Sequence, residues 1–173
     1  MILKLVGSVM VVMASSCLGW ILSRQCAARP QELRILQGLL QIFENQISYM
    51  SSVLTDAFHY VYKSSGSEVA EFFRLTVRNL KFDNSINAAQ AWEKAVVEGI
   101  RNTALNREDR EILISFGKLL GSSDREGQIK NIRLTVSQLS LQEQKAEEIR
   151  KKNETMYRSL GILGGLAIVI IAI

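Results

Sequence analysis

The side chains that could do chemistry are few in this chain, and their spacing gives them no partners. His59 is the only histidine. A usual zinc site needs three or four ligands, so a lone imidazole between Phe58 and Tyr60 reads as a packing or surface group. Cys17 lies inside an apolar run and Cys26 just after it, which makes neither a disulfide framework nor a metal pair. Gly117-Lys118 lacks the earlier glycine and the following Ser or Thr of a phosphate loop. Glu108-Asp109-Arg110-Glu111 is a carboxylate cluster at a predicted helix start, where negative charge complements the helix dipole. No serine has a base partner that the sequence can show. No catalytic, cofactor-binding or metal-binding residue is assigned, and the chain reads as a non-enzyme.

The charge distribution narrows the partners. Residues 30–158 carry 18 Lys+Arg against 17 Asp+Glu, so they lack the basic stripe that nucleic-acid binding requires. Lys4, Arg24 and Arg29 supply most of the net +4, and all three sit beside an apolar run.

That run and a second one dominate the sequence. Residues 5–23 are nineteen without a charge, just long enough to span a bilayer core. Residues 160–173 are fourteen more. The first run could be a signal peptide, but it is long and ends in Arg24 rather than at a small-residue cleavage site. Ala14-Ser15-Ser16-Cys17 hints at a lipoprotein box without the leucine three before the cysteine. An uncleaved anchor is the preferred reading. The second run is short for a full span; a helix starting among the headgroups, with Arg158 snorkelling, would nearly cross, and a half-inserted tail is the alternative. Gly161 and Gly165 form a G-x-x-x-G pair with Gly164 beside it, opposite which Ser15 and Gly19 offer small residues. Helix packing and the general abundance of glycine in membrane helices explain that pair equally well. Arg24, Arg29 and Arg34 follow the first run, and Lys145, Arg150, Lys151, Lys152 and Arg158 precede the second. This bias places the middle of the chain in the cytoplasm.

The middle is patterned for helices. Pro30 suits a first helical turn, and Leu33, Leu36, Leu40, Phe43, Ile47 and Met50 follow in one stripe. A short amphipathic piece carries Ala57, Phe58, Val61 and Tyr62. Ser67 can cap a helix bearing Val69, Phe72, Phe73, Val77 and Leu80. Ser85 can cap one bearing Ile86, Ala89, Trp92 and Val96. Asn106 opens another with Ile112, Leu113, Phe116, Leu119 and Leu120, ended by Gly121. Ser123 and Glu126 form a capping box for the longest helix, which has no proline and is expected to run about 50 Å to Arg158 and on into the bilayer. Trp92 and Phe116 read as core. Glu147–Lys151 and Glu148–Lys152 are expected i,i+4 pairs on its solvated face, with a weak secondary role on anionic headgroups. The expected architecture is all-α: an N-terminal anchor at 1–24, a bundle of about six helices at 28–158, and a membrane segment at 159–173 continuing the last helix.

The chain resembles the stage III sporulation protein AB family of spore-forming Firmicutes along essentially its whole length. The resemblance rests on Arg29-Pro30-x-x-Leu33-Arg34 after the N-terminal anchor. It rests more firmly on Leu113-x-x-Phe116-Gly117-x-x-Leu120-Gly121-x-x-Asp124-x-x-Gly127-Gln128, and on Met156-Tyr157-Arg158-Ser159-Leu160-Gly161-x-x-x-Gly165. Family members often carry Leu-Pro after the second helix; here Leu54 is followed by Thr55. The resemblance implies a soluble part similar to the cytoplasmic domain of the type II secretion inner-membrane platform protein. It implies a place in the channel-like complex between mother cell and forespore, in the mother-cell membrane. The implied partners are the AA-type secretion ATPase of the same set and the other stage III sporulation complex proteins. The implied role is a non-enzymatic adaptor; a self-associating membrane scaffold without a motor is the alternative. Phe116, Gly117, Leu120, Gly121, Asp124 and Gln128 are the candidate partner contacts, because their turn joins the penultimate helix to the long one. Helix capping is the simpler reading of that turn.

Overall fold

Apolar residues at helical spacing must find a common interior, and here they do so in a bundle. The computed structural model describes residues 27–50, 54–83, 85–121 and 124–172. They form six α-helices: α1 Ala28–Met50, α2 Leu54–Lys63, α3 Glu71–Phe82, α4 Ala88–Gly99, α5 Arg107–Lys118 and α6 Arg125–Ala172. Short 3-10 turns, Glu68–Ala70 and Ile100–Asn102, lead into α3 and out of α4. There is no strand among the described residues, in keeping with the all-α expectation. The chain divides into two compact units, Arg29–Gln144 and Met1–Ala28 with Lys145–Ile173.

In the first unit, α3 packs against α2 and α4, and α4 against α5. Five helices each contribute one ring to the centre: Phe43, Phe58, Phe73, Trp92 and Phe116. Phe43 stacks on Phe58 at 4.8 Å, and Phe58 on Trp92 at 5.8 Å. Phe73 and Phe116 each meet Trp92 in a T-shaped arrangement at 5.2 Å, which sets a positive ring edge against a negative ring face. The indole N–H donates to the Leu113 carbonyl at 2.7 Å. The α1 stripe is buried as read, from Leu33 through Ile47; the Met50 side chain lies outside the described residues. α6 adds Ile132 and Leu139 and runs antiparallel to α1. Arg29 reaches Gln142, Arg34 and Gln37 reach Glu143, and Glu44 reaches Arg133, so the later part of α1 meets the earlier part of α6.

The caps differ in detail from the sequence reading. α4 is capped by Asn87, not Ser85: its side chain accepts from Gln90 N–H, and Gln90 reaches back to the Asn87 N–H. Ser85 instead donates to Asp83 and tightens the preceding turn. Ser67 caps the 3-10 turn only by position, since its hydroxyl and N–H are engaged with Ser65. α6 opens after Asp124, whose carboxylate accepts from Gly127 N–H at 2.9 Å; Ser123 lies outside the described residues. Asn106 opens α5 as expected.

In the second unit the described residues are Ala27, Ala28 and the part of α6 from Lys145 to Ala172. Arg150 donates twice to Glu147, at 2.9 and 2.7 Å, and lies 3.8 Å from Glu154. These i,i+3 and i,i+4 contacts stand where Glu147–Lys151 pairing was expected. The helix continues without a break to Ala172. Its apolar stretch from Leu160 to Ala172 rises only about 20 Å against a hydrocarbon core of about 30 Å. No described helix is both long and apolar enough to cross a membrane. Residues 5–23, with Ser15 and Gly19, lie outside the described residues.

Trp92 touches rings from three other helices and is fully buried. Trp92→Ala is expected to cost about 3–5 kcal/mol in a urea titration, the range for deleting a buried aromatic ring. A loss below about 1 kcal/mol would mean that the bundle does not rest on this cluster.

Candidate functional site

Two regions at opposite ends of the first unit hold its specific polar chemistry. At one end the chain enters as Arg29 and leaves just after Gln142. Asp109, on the first turn of α5, is fully buried. Its Oδ2 accepts from Asn106 N–H at 2.9 Å, closing a capping box, while Asp109 N–H donates to Asn106 Oδ1 at 3.0 Å. The same carboxylate takes a two-pronged contact from Arg29, Nε to Oδ2 at 2.8 Å and Nη2 to Oδ1 at 3.0 Å. Arg29 Nη2 also donates to Gln142 Oε1 at 3.1 Å. One buried carboxylate thus ties together the starts of α1 and α5 and the middle of α6. The acidic cluster at 108–111 is therefore more than a dipole effect, and Arg29 and Arg34, counted above as membrane-flanking charges, both serve ion pairs inside the unit.

Glu32 sits at this end too. Its carboxylate accepts from Ala104 N–H at 2.7 Å. Burial pushes its pKa above the ordinary 4.5, and the charges of Glu68 and Asp109 push it further; the Ala104 N–H opposes them.

The opposite end contains the motif at 113–128. Leu113 is buried and its carbonyl receives the Trp92 indole. Phe116 is in the aromatic cluster, and its carbonyl, near the end of α5 where helical partners run out, accepts from Asn131 Nδ2 at 3.0 Å. Gly117 is buried, and a Cβ there would drive into Cδ1 of Trp92. Leu120 is 4% exposed. Gly121 has φ +75°, the left-handed conformation that glycine adopts freely past a helix end. Asp124 is exposed and caps α6. Gln128 is half-buried in its first turn. So Phe116, Gly117 and Leu120 are core residues, and among the six candidates only Gly121 and Asp124 are exposed.

Two features of this end are not on the sequence's list. Phe82, the last residue of α3, is 84% exposed. Leu119, expected on the buried stripe of α5, is 47% exposed because the helix stops at Lys118 and the chain turns. The signal for Phe82 was present: it lies two residues past Leu80, off the stripe. Asp83, which follows, has its pKa lowered, first by the Ser85 hydroxyl, then by the Ser85 N–H and Lys94. Gly161, Gly164 and Gly165 lie together on α6. No cluster able to hold a metal ion occurs among the described residues.

These residues define an all-α bundle whose distinctive positions serve packing, capping and the closure of its ends. Residues 4–173 match the stage III sporulation protein AB family, and the chain belongs to it. It is 32% identical over 169 residues to stage III sporulation protein AB of Bacillus subtilis (strain 168), covering 98% of each chain. A solved structure of a stage III sporulation protein AB superposes with a TM-score of 0.67 at 30% identity, over 72% of this chain and 98% of that one.

Three outcomes are expected. Gly117→Ala should cost about 1–3 kcal/mol, as overpacking against a pinned indole does. Gly38→Ala, mid-helix with nothing within 4 Å of its Cβ position, should instead stabilise by about 1 kcal/mol. Equal melting shifts for the two would show that Gly117 is not there to admit Trp92. For Glu32, a carboxyl whose pKa rises on folding destabilises when ionised, and the cost is relieved as pH falls through the folded value. Glu32→Gln keeps an acceptor for Ala104 and removes the charge. Its Tm should exceed the parent's at pH 7, and the gap should close below 4.5. A gap that persists in acid would assign the effect to packing.

Proposed function

We propose that this protein is a membrane-held component of the stage III sporulation complex and acts as a platform for a secretion-type ATPase of the AA type. Family membership supports the sporulation role. The observation that carries the platform reading is the clasp of Arg29, Asp109 and Gln142. Both chain connections leave the bundle at one end, and each leads toward an apolar run, 5–23 or 160–173. A bundle attached at one end presents the other to a soluble partner. The basic residues flanking both runs favour the cytoplasm as the side on which it does so. The bundle offers helical surface and turns rather than reactive groups, which suits an adaptor.

Side-by-side self-association is a second reading, favoured by Leu134 and Leu141. They lie seven residues apart on the outward face of α6, each 57% exposed. That spacing suits pairing of long helices.

Protease access separates the first reading from an extracellular one. In intact spheroplasts, an epitope within 85–120 should resist external protease and be cut only after lysis. Cutting in intact cells would remove the platform reading. Co-purification of the full-length chain in nanodiscs with the purified AA-type ATPase should then succeed. A chain that only self-associates would favour the scaffold.

A further inference from the structure

A single exposed apolar side chain is ordinary on a protein surface, and it is grouping that marks an interaction site. Phe82 leaves its whole ring 84% exposed. The backbone beneath it is fixed. Asp83 N–H donates to the Asn79 carbonyl at 3.1 Å. The Asp83 carboxylate accepts from the Ser85 N–H and hydroxyl, and Lys94 lies 3.5 Å from its other oxygen. Asn79 itself donates to the Ala91 carbonyl at 3.2 Å, locking the end of α3 to α4. Leu119, 47% exposed, belongs to the next turn at the same end. That turn is seated against α4, since the Cβ position of Gly121 lies 3.6 Å from Ala88 Cβ. Two exposed apolar side chains thus flank the start of α4.

Each is preceded by a lysine, Lys81 before Phe82 and Lys118 before Leu119. Both lysines are exposed, and neither pairs with a carboxylate among the described residues. The nearby acids are occupied: Asp83 by Ser85 and Lys94, Asp124 by the Gly127 N–H. Glu126 is exposed in the first turn of α6, where the positive end of the helix dipole favours it. A helix C-terminus favours lysine through its dipole, and that accounts for the charges but not for the exposed apolar side chains they accompany.

We infer that Phe82 and Leu119, rimmed by Lys81 and Lys118, form the docking surface for a partner protein that presents an apolar pocket bordered by carboxylates. The inference rests on the platform reading, in which that partner is the AA-type ATPase. The position fits: this end lies away from the clasp where both chain connections depart. A two-fold pairing of this patch with itself is disfavoured, because it would set lysine-rimmed surfaces against each other. Phe82 is the anchor, since a buried aromatic at the centre of an interface carries a disproportionate share of the binding energy. The lysines steer the encounter and make it salt-sensitive.

The test uses the full-length chain in nanodiscs and the purified AA-type ATPase, read by biolayer interferometry. Phe82→Ser should weaken binding at least about tenfold. The Lys81→Glu/Lys118→Glu pair should weaken it too and abolish the salt dependence of the on-rate. Both variants should keep the parent Tm, because the altered side chains are exposed. Leu134→Ser/Leu141→Ser, on the outer face of α6, should bind as the parent does. Parent-like binding by Phe82→Ser and by the lysine variant, with the parent still bound, overturns the docking surface and leaves the platform reading standing. So does a selective loss in Leu134→Ser/Leu141→Ser. No binding by the parent overturns both.

Discussion

Asp109 carries a charge that the interior cannot hold alone. A buried carboxylate is tolerable only when charge and hydrogen bonds surround it, and removing a partner typically costs about 3–5 kcal/mol. Three residues meet that demand from three places in the sequence. Asn106 is three residues away, Arg29 eighty, and Gln142 touches the same guanidinium. The requirement therefore fixes where the bundle begins and ends. The first residue of the compact unit and one of its last are brought to one spot by one side chain. With both connections at one end, the turns after α3 and α5 lie at the other end of the unit.

The motif at 113–128 illustrates how a family signature can be structural at most of its positions. Leu113 supplies a carbonyl, Phe116 a ring and a carbonyl, Gly117 the absence of a side chain, and Gly121 a left-handed turn. All four serve the seating of Trp92 and the exit from α5. The exposed apolar side chains of this end, Phe82 and Leu119, are not among those four.

The helical periodicity made most of this fold legible. Apolar stripes marked six helices, and the rings at 43, 58, 73, 92 and 116 all fell on them. Gly121 and Asn106 announced an end and a start through local chemistry. What stayed hidden was either long-range or one residue fine. The Arg29–Asp109 pair is separated by most of the bundle, and no local pattern reveals which arginine a carboxylate will meet. Ser85 and Asn87 are both good caps two residues apart; the choice went to Asn87, three before Gln90, and Asp83 claimed Ser85. Leu119 continued the stripe on paper, but the helix had already ended. Of the candidate contacts, Phe116 and Leu120 lay on the apolar stripe and Phe116 already read as core, whereas the burial of Gly117 had no local signal, because a glycine marks no face.

The rungs between α1 and α6 also determine how the bundle bears load. Arg29–Gln142 and Arg34–Glu143 lie together at the clasp end of two antiparallel helices, and Arg133–Glu44 lies farther along them. A tug that spreads the two chain connections sideways meets these rungs one after another, beginning at the clasp, as a zipper is opened. A tug that slides one helix along the other strains every rung at once. The same contacts are thus weak against peeling and strong against sliding. The aromatic centre lies behind them, so peeling has to open the clasp before it reaches Trp92.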